Sequence, residues 1–213
     1  LRDEARLDYI QFIPIVERDN QTGYQQGHRL TQRSVKAQQF GQFLIKVFDE
    51  WVRRDVGQVY VQIFDVALGA WLGQPGALCI FAPTCGTALA MEHNGDLYAC
   101  DHFVEPRYLV GNLQEKDLVA LVSSDRQARF GRDKMDKLPK YCQKCEVRFA
   151  CHGGCPKNRF IKTPSGEAGL NYLCQGYKDF FNHIDEPMKI MAFLIRQGGA
   201  PAEIMNILAN KKS

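Results

Sequence analysis

Eight cysteines, spaced as they are here, leave this chain few ways to fold. Cys79, Cys85, Cys100, Cys142, Cys145, Cys151, Cys155 and Cys174 are separated by 5, 14, 41, 2, 5, 3 and 18 residues. The densest stretch is KYCQKCEVRFACHGGCPKNR. An even count is compatible with four disulfides. A chain of 213 residues, however, builds a core without staples, and its opening LRDEARLDYI has neither an initiator Met nor the apolar centre of a signal peptide. Close groups of thiolates otherwise select thiophilic metals, zinc or iron–sulfur clusters. Zinc favours compact CxxC knuckles, and only Cys142 and Cys145 form one. The looser spacings suit a bulkier cluster, and Gly153-Gly154 leave room for backbone beside it. Spacing therefore favours iron–sulfur over zinc. His152 adjoins Cys151 and reads as a neighbour of the site rather than a ligand.

The remaining pattern predicts an α/β region followed by an α+β region. Residues 8–15, DYIQFIPI, read as a buried strand, and a polar loop from Glu17 to Arg33 follows. Phe40, Phe43, Leu44, Val47, Phe48 and Trp51 recur at helical steps and predict an amphipathic helix over 34–54, capped by Thr31 or Ser34. A second strand is expected at 59–64, ending near Asp65. Strand, helix, strand makes a parallel βαβ unit. One such unit cannot cover both faces of a parallel sheet, so it is expected to be the tail of a larger sheet or barrel. Asp65 stands on the side where such sheets place ligands, or simply starts the next helix. Asn94-Gly95 predicts a hairpin that sets Met91 opposite Tyr98 and Leu89 opposite Cys100, with Cys79 one loop away. Irregular helix is expected over 117–134, helix over 171–184, and two short helices after Pro187. The expected division is 1–75, 76–185 and 186–213. A net charge of +3 with no basic block gives no reason to invoke nucleic acid, and no apolar run approaches the ~18 residues of a membrane span.

Taken together, these residues resemble the SPASM domain of radical S-adenosylmethionine enzymes, and most closely the anaerobic sulfatase-maturating enzymes. The resemblance rests on the whole cysteine run and on YIQFIPIVE, DLYACDHFV, LVGNL and NYLCQGYKDFF, within residues 7–184. It implies the end of a partial TIM barrel (1–75), a SPASM domain of β-hairpin and helices (76–185) and terminal helices. It implies two auxiliary [4Fe–4S] clusters, one on Cys79, Cys85, Cys100 and Cys155 and the other on Cys142, Cys145, Cys151 and Cys174. It implies that a Cys or Ser of a sulfatase polypeptide is oxidised to Cα-formylglycine: a deoxyadenosyl radical takes a Cβ hydrogen, Asp101 removes the side-chain proton, and an electron leaves toward the auxiliary clusters. A carboxylate beside an electron sink couples proton loss to oxidation.

One departure matters. The CxxxCxxC loop that holds the cluster binding S-adenosylmethionine is absent, because Cys151-x3-Cys155 is followed by Asn158 where a third cysteine would stand. The expectation is a C-terminal part of such an enzyme, unable to cleave S-adenosylmethionine alone, with that cofactor and a third [4Fe–4S] cluster held by the N-terminal part. A SPASM enzyme acting on another peptide and a structural zinc module for protein binding are the alternatives, and zinc is also the expected substitute in aerobic preparations. A reducing cytoplasm suits clusters and free thiols.

Overall fold

A computed structural model describes residues 7–210. The six residues before them and the three after, which belong to the expected spans 1–75 and 186–213, lie outside the described residues.

The first strand, β1 (Tyr9–Ile10), pairs in parallel with β2 (Tyr60–Val61) around helix α1 (Ala37–Arg54). The expected parallel βαβ unit is therefore present, with strands much shorter than the apolar runs suggested. In the first run, Pro14 cannot donate to a ladder, and Ile13 and Ile15 are exposed rather than buried. In the second, only Tyr60–Val61 is extended, and the chain turns at once into α2 (Gln62–Trp71). Ile63, Phe64, Ala67, Leu68 and Trp71 are buried at steps of one, three and four, which is a helical face and not a strand. Asp65 thus lies in the first turn of α2, and crowding by its surroundings pushes its carboxyl up to about 6. Helix α1 begins later than expected, after Lys36, with no side-chain cap. Ser34 is engaged elsewhere: its hydroxyl accepts from the Glu17 N–H at 3.0 Å.

The middle of the chain forms a three-stranded antiparallel sheet, β3 (Ala90–Met91), β4 (Asp96–Tyr98) and β5 (Leu109–Asn112). Its hairpin turns at Asn94-Gly95, but the register is one residue from the expected one: Ala90 faces Tyr98 and Met91 faces Leu97. The loop holds three residues rather than two. Gly95 N–H donates to the Glu92 carbonyl, and Glu92 N–H to the Asp96 carbonyl, with Gly95 left-handed at φ 86°. Asn94 Oδ1 accepts from Asp96 N–H at 3.1 Å and fixes that loop.

The irregular helical stretch resolves into α3 (Leu118–Val122) and α4 (Asp125–Asp136). Asp117 and Ser124 cap them through Ala120 N–H and Gln127 N–H. Short helices α5 (Lys140–Gln143) and α6 (Arg148–Cys151), a β6–β7 hairpin (Ile161–Lys162, Ala168–Leu170), and helices α7 (Cys174–His183), α8 (Asp185–Arg196) and α9 (Ile204–Asn210) follow. Pro187 lies inside the first turn of α8 rather than before it, where no intrahelical donor is lost.

One core joins these pieces. Phe48, Phe64 and Phe180 pack with centroids 5.2–6.4 Å apart. Phe81, Val147, Tyr177, Met188 and Ile204 belong to the same buried cluster. Helices α1 and α7 meet at glycines: a Cβ on Gly41 would stand 2.6 Å from Gly176 Cα, and one on Gly176 would strike the Ala37 carbonyl. This close crossing sets the position of the α7 N-terminus, where Cys174 lies.

Candidate metal centres

All eight cysteines are free thiols. Cys142 ends the first turn after Pro139, its N–H donating to the Pro139 carbonyl at 2.9 Å, and its own carbonyl accepts from Cys145 N–H. Cys145 in turn accepts from Arg148 N–H, and Cys151 closes α6. Beyond it the backbone is left-handed at three successive residues, His152 (φ 46°), Gly153 (φ 72°) and Gly154 (φ 61°). That run separates Cys151 from Cys155. His152 is the one non-glycine in this conformation among the described residues.

Cys142, Cys145, Cys151 and Cys174 line a single pocket, together with Tyr141, Val147 and Gly153. Burial raises all four thiols, Cys151 and Cys174 to about 12, and thiolates at Cys142 and Cys145 would raise Cys151 and Cys174 further. Of the other four, Cys79 is exposed and Cys85, Cys100 and Cys155 are half-buried. Cys79 is exposed on a turn closed by Phe81 N–H to the Leu78 carbonyl. Cys85 N–H donates to Gly131 O at 3.2 Å, and Gly131 permits that approach because a Cβ there would strike the Cys85 carbonyl. Cys100 follows β4. Burial pushes its thiol up to about 12, and a charge on Asp101 or Cys155 adds to this. Cys155 is raised by burial first and by a thiolate at Cys79 after it. A thiolate at Cys79 would raise both Cys85 and Cys155, and one at Cys155 would raise Cys100.

Four sulfurs have a main-chain donor two residues on: His102 N–H to Cys100 Sγ at 3.5 Å, and the N–H groups of Val147, Gly153 and Lys157 toward Cys145, Cys151 and Cys155. Each stabilises the thiolate. This is a donor set built for negative sulfur, and it fits thiolate-ligated iron–sulfur groups. Among the described residues no three His, Cys, Asp or Glu side chains close on a point as a single-ion site requires.

Asp101 is exposed, with Oδ1 3.2 Å from Cys100 Sγ and 3.7 Å from His102 Nδ1. Its N–H donates to the Ala88 carbonyl.

Four polar residues, all outside the expected site residues, complete the frame. Asn171, 2% exposed, donates from Nδ2 to the Gly153 and Cys155 carbonyls at 3.2 Å and accepts Leu173 N–H at 2.8 Å. Gln127 Nε2 donates to the Gly86 and Ala99 carbonyls, tying the Cys85 loop to the segment between β4 and Cys100. Lys134, 1% exposed, donates from Nζ to the carbonyls of Cys79, Ile80 and Ala82. Arg159 donates to the carbonyls of Gly153, Lys134, His152 and Gly154. The run CPKNR holds Arg159 beside the last cysteine of the dense cluster, which is the one sequence signal for it.

Residues 79–146 match the SPASM family model, an iron–sulfur cluster-binding domain. The serine-type anaerobic sulfatase-maturating enzyme of Bacteroides thetaiotaomicron is 46% identical over 96% of this chain and 52% of its own length. The cysteine-type enzyme of Clostridium perfringens is 29% identical over 84% of this chain and 47% of its own. Among solved structures, native anSMEcpe with bound AdoMet and the Cp18Cys peptide superposes with a TM-score of 0.76 at 27% identity, covering 91% of this chain and 52% of that one. The chain spans about half the length of the curated relatives it matches.

Proposed function

We propose that this chain, which carries a SPASM domain and is a relative of the anaerobic sulfatase-maturating enzymes, is the auxiliary-cluster part of a radical S-adenosylmethionine enzyme that oxidises a sulfatase side chain to Cα-formylglycine. The observation that carries the reading is the gathering of Cys142, Cys145, Cys151 and Cys174 around one pocket, which Cys155 does not line. Cys142, Cys145, Cys151 and Cys174 would hold one [4Fe–4S] cluster. Cys79, Cys85, Cys100 and Cys155 would hold the other. When bound, these clusters supply an acceptor for the electron released as the substrate carbon is oxidised.

The chain's own residues do the rest. Asp101 presents an exposed carboxylate whose Oδ1 accepts from Cys100 Sγ at 3.2 Å and lies 3.7 Å from His102 Nδ1, and this carboxylate would take the proton of a substrate hydroxyl or thiol. Main-chain N–H groups hold sulfur charge in place, and Asn171 and Gln127 fix the loops that carry it. S-adenosylmethionine and its own cluster belong to a CxxxCxxC loop that these 213 residues do not contain, so the chain by itself is expected to produce no 5′-deoxyadenosine. The higher identity to the serine-type relative supports a serine target. The substrate partner is a sulfatase polypeptide, and the SPASM match together with Asp101 weighs against a zinc module.

Iron, acid-labile sulfide and zinc per chain, measured on protein purified without oxygen, test the proposal. About eight iron and eight sulfide are expected. About two zinc, without sulfide even after anaerobic reconstitution, would replace it with two closed structural sites.

A further inference from the structure

Two cations, Lys134 and Arg159, lie among the cysteine-bearing loops, and among the described residues neither has a carboxylate partner. Lys134 is 1% exposed, yet among the described residues it has no carboxylate partner, and its ammonium is held by three main-chain carbonyls of the loop that carries Cys79. Arg159 is half-buried and likewise lacks a carboxylate. Its guanidinium spends its donors on the carbonyls of His152, Gly153 and Gly154, the turn between Cys151 and Cys155, and on the carbonyl of Lys134 itself. The two cations therefore sit side by side and repel each other. A buried charge without a partner is strongly unfavourable, and two of like sign are worse. The groups that would face them with opposite sign, once deprotonated as ligands, are the cysteine sulfurs. Lys134 is near Cys79, Cys85 and Cys155, while Arg159 is near Cys142, Cys151, Cys155 and Cys85, members of both sets.

We propose that Lys134 and Arg159 are the fixed countercharges of the two thiolate sets: Lys134 serves the set of Cys79, Cys85, Cys100 and Cys155, and Arg159 bridges both. The inference rests on the cluster reading above. A [4Fe–4S]²⁺ group with four thiolates has a net charge of about −2, and one-electron reduction takes it to about −3. A fixed cation nearby stabilises the reduced state more than the oxidised one. The two side chains thus act on the electron affinity of the groups held by the cysteines, and they are positioning residues rather than catalytic ones.

The test uses the whole chain, purified and loaded without oxygen, with external dithionite as the one-electron reductant. Lys134→Gln and Arg159→Gln keep hydrogen-bond donors and remove the charge. Lys134→Arg and Arg159→Lys keep the charge. Three quantities are read: iron per chain, the urea midpoint, and the midpoint potentials from EPR-monitored titration. The Gln variants are expected to shift potentials to more negative values, Lys134→Gln at one cluster and Arg159→Gln at both, with the charge-keeping variants close to the parent. A Gln variant that folds as the parent does but holds less iron, restored by the charge-keeping variant, would also support the proposal. Unchanged potentials in the folded, loaded Gln variants would overturn it. So would loss of fold in the Gln and charge-keeping variants alike, because the side chains would then be structural ties only. A parent chain that holds zinc and no sulfide would instead refute the cluster reading, and that is seen before any variant is made.

Discussion

Alanine at Gly176 should destabilise this protein, although helix propensity alone says the opposite. Gly176 lies in α7, where replacing glycine by alanine would contribute up to about 1 kcal/mol. The crossing with α1 reverses the sign. A Cβ on Gly41 would lie 2.6 Å from Gly176 Cα, and the Cβ of an alanine at 176 would meet the Ala37 carbonyl, so both substitutions collide with main chain that no rotamer change can move. Relief requires the helices to separate by about 1 Å. A gap of that size forfeits a quarter to a half of each dispersion contact across the interface. That interface includes Phe40 against Tyr177 and Phe48 against Phe180, with centroids 6.2 and 6.4 Å apart. Overpacking of this kind costs about 1–3 kcal/mol, with backbone collisions at the upper end. The net expectation is a loss of about 2 kcal/mol for Gly176→Ala and a similar loss for Gly41→Ala. The double variant should lose clearly less than the sum, because one separation relieves both collisions. Urea unfolding of the anaerobically prepared chain measures all three. Iron content should fall with stability in Gly176→Ala, since α7 carries Cys174 two residues earlier. A gain near 1 kcal/mol in Gly176→Ala would refute the argument.

Asp101→Asn should leave iron and sulfide per chain unchanged while lowering formylglycine formation in the full-length enzyme by about 10²–10⁴-fold, as read by mass spectrometry of a substrate peptide. Cys155→Ala and Cys174→Ala should each reduce iron from about eight to about four per chain, and EPR of the two should show different remaining signals. Equal signals would contradict the assignment of these two cysteines to separate sets. Asn171→Ala leaves the buried Leu173 N–H without its acceptor, while the Gly153 and Cys155 carbonyls keep Arg159 Nε and Asn158 N–H as donors, and it should cost about 1–3 kcal/mol in urea unfolding.

Sequence and structure agree where periodicity is strong and part where polar residues do structural work. The stripe of α1 was visible because Phe40, Leu44, Phe48 and Trp51 are apolar at helical spacing. The stripe of α4 was not. Its buried face is Gln127, Gly131 and Lys134, spaced as a helix face should be, but made of residues that read as solvent-facing. Each is buried for a main-chain reason: Gln127 and Lys134 donate to carbonyls of the cysteine-bearing loops, and Gly131 lets one of those loops approach. The strand 59–64 was misread because its β-branched and aromatic residues suit either state, and the buried positions of the helix that replaces most of it begin only at Ile63. The hairpin was found by Asn94-Gly95 but its register was lost, since the same dipeptide closes loops of two or three residues. The cysteines and their spacing stand in the sequence itself. What spacing could not give was the pair of cations, buried Lys134 and half-buried Arg159, which are far apart in sequence and ordinary in type.

The left-handed run His152–Gly153–Gly154 makes Cys151 and Cys155 the two ends of one short, stiff segment, held by Arg159 and Asn171. On the proposed partition, each end belongs to a different set. Anchoring either end then fixes the other near its destination, so the second set is completed from a high effective concentration with little chain entropy left to lose. Filling should therefore be cooperative. Under limiting iron and sulfide, the population would divide into empty and doubly filled chains, and chains with a single filled set would be scarce.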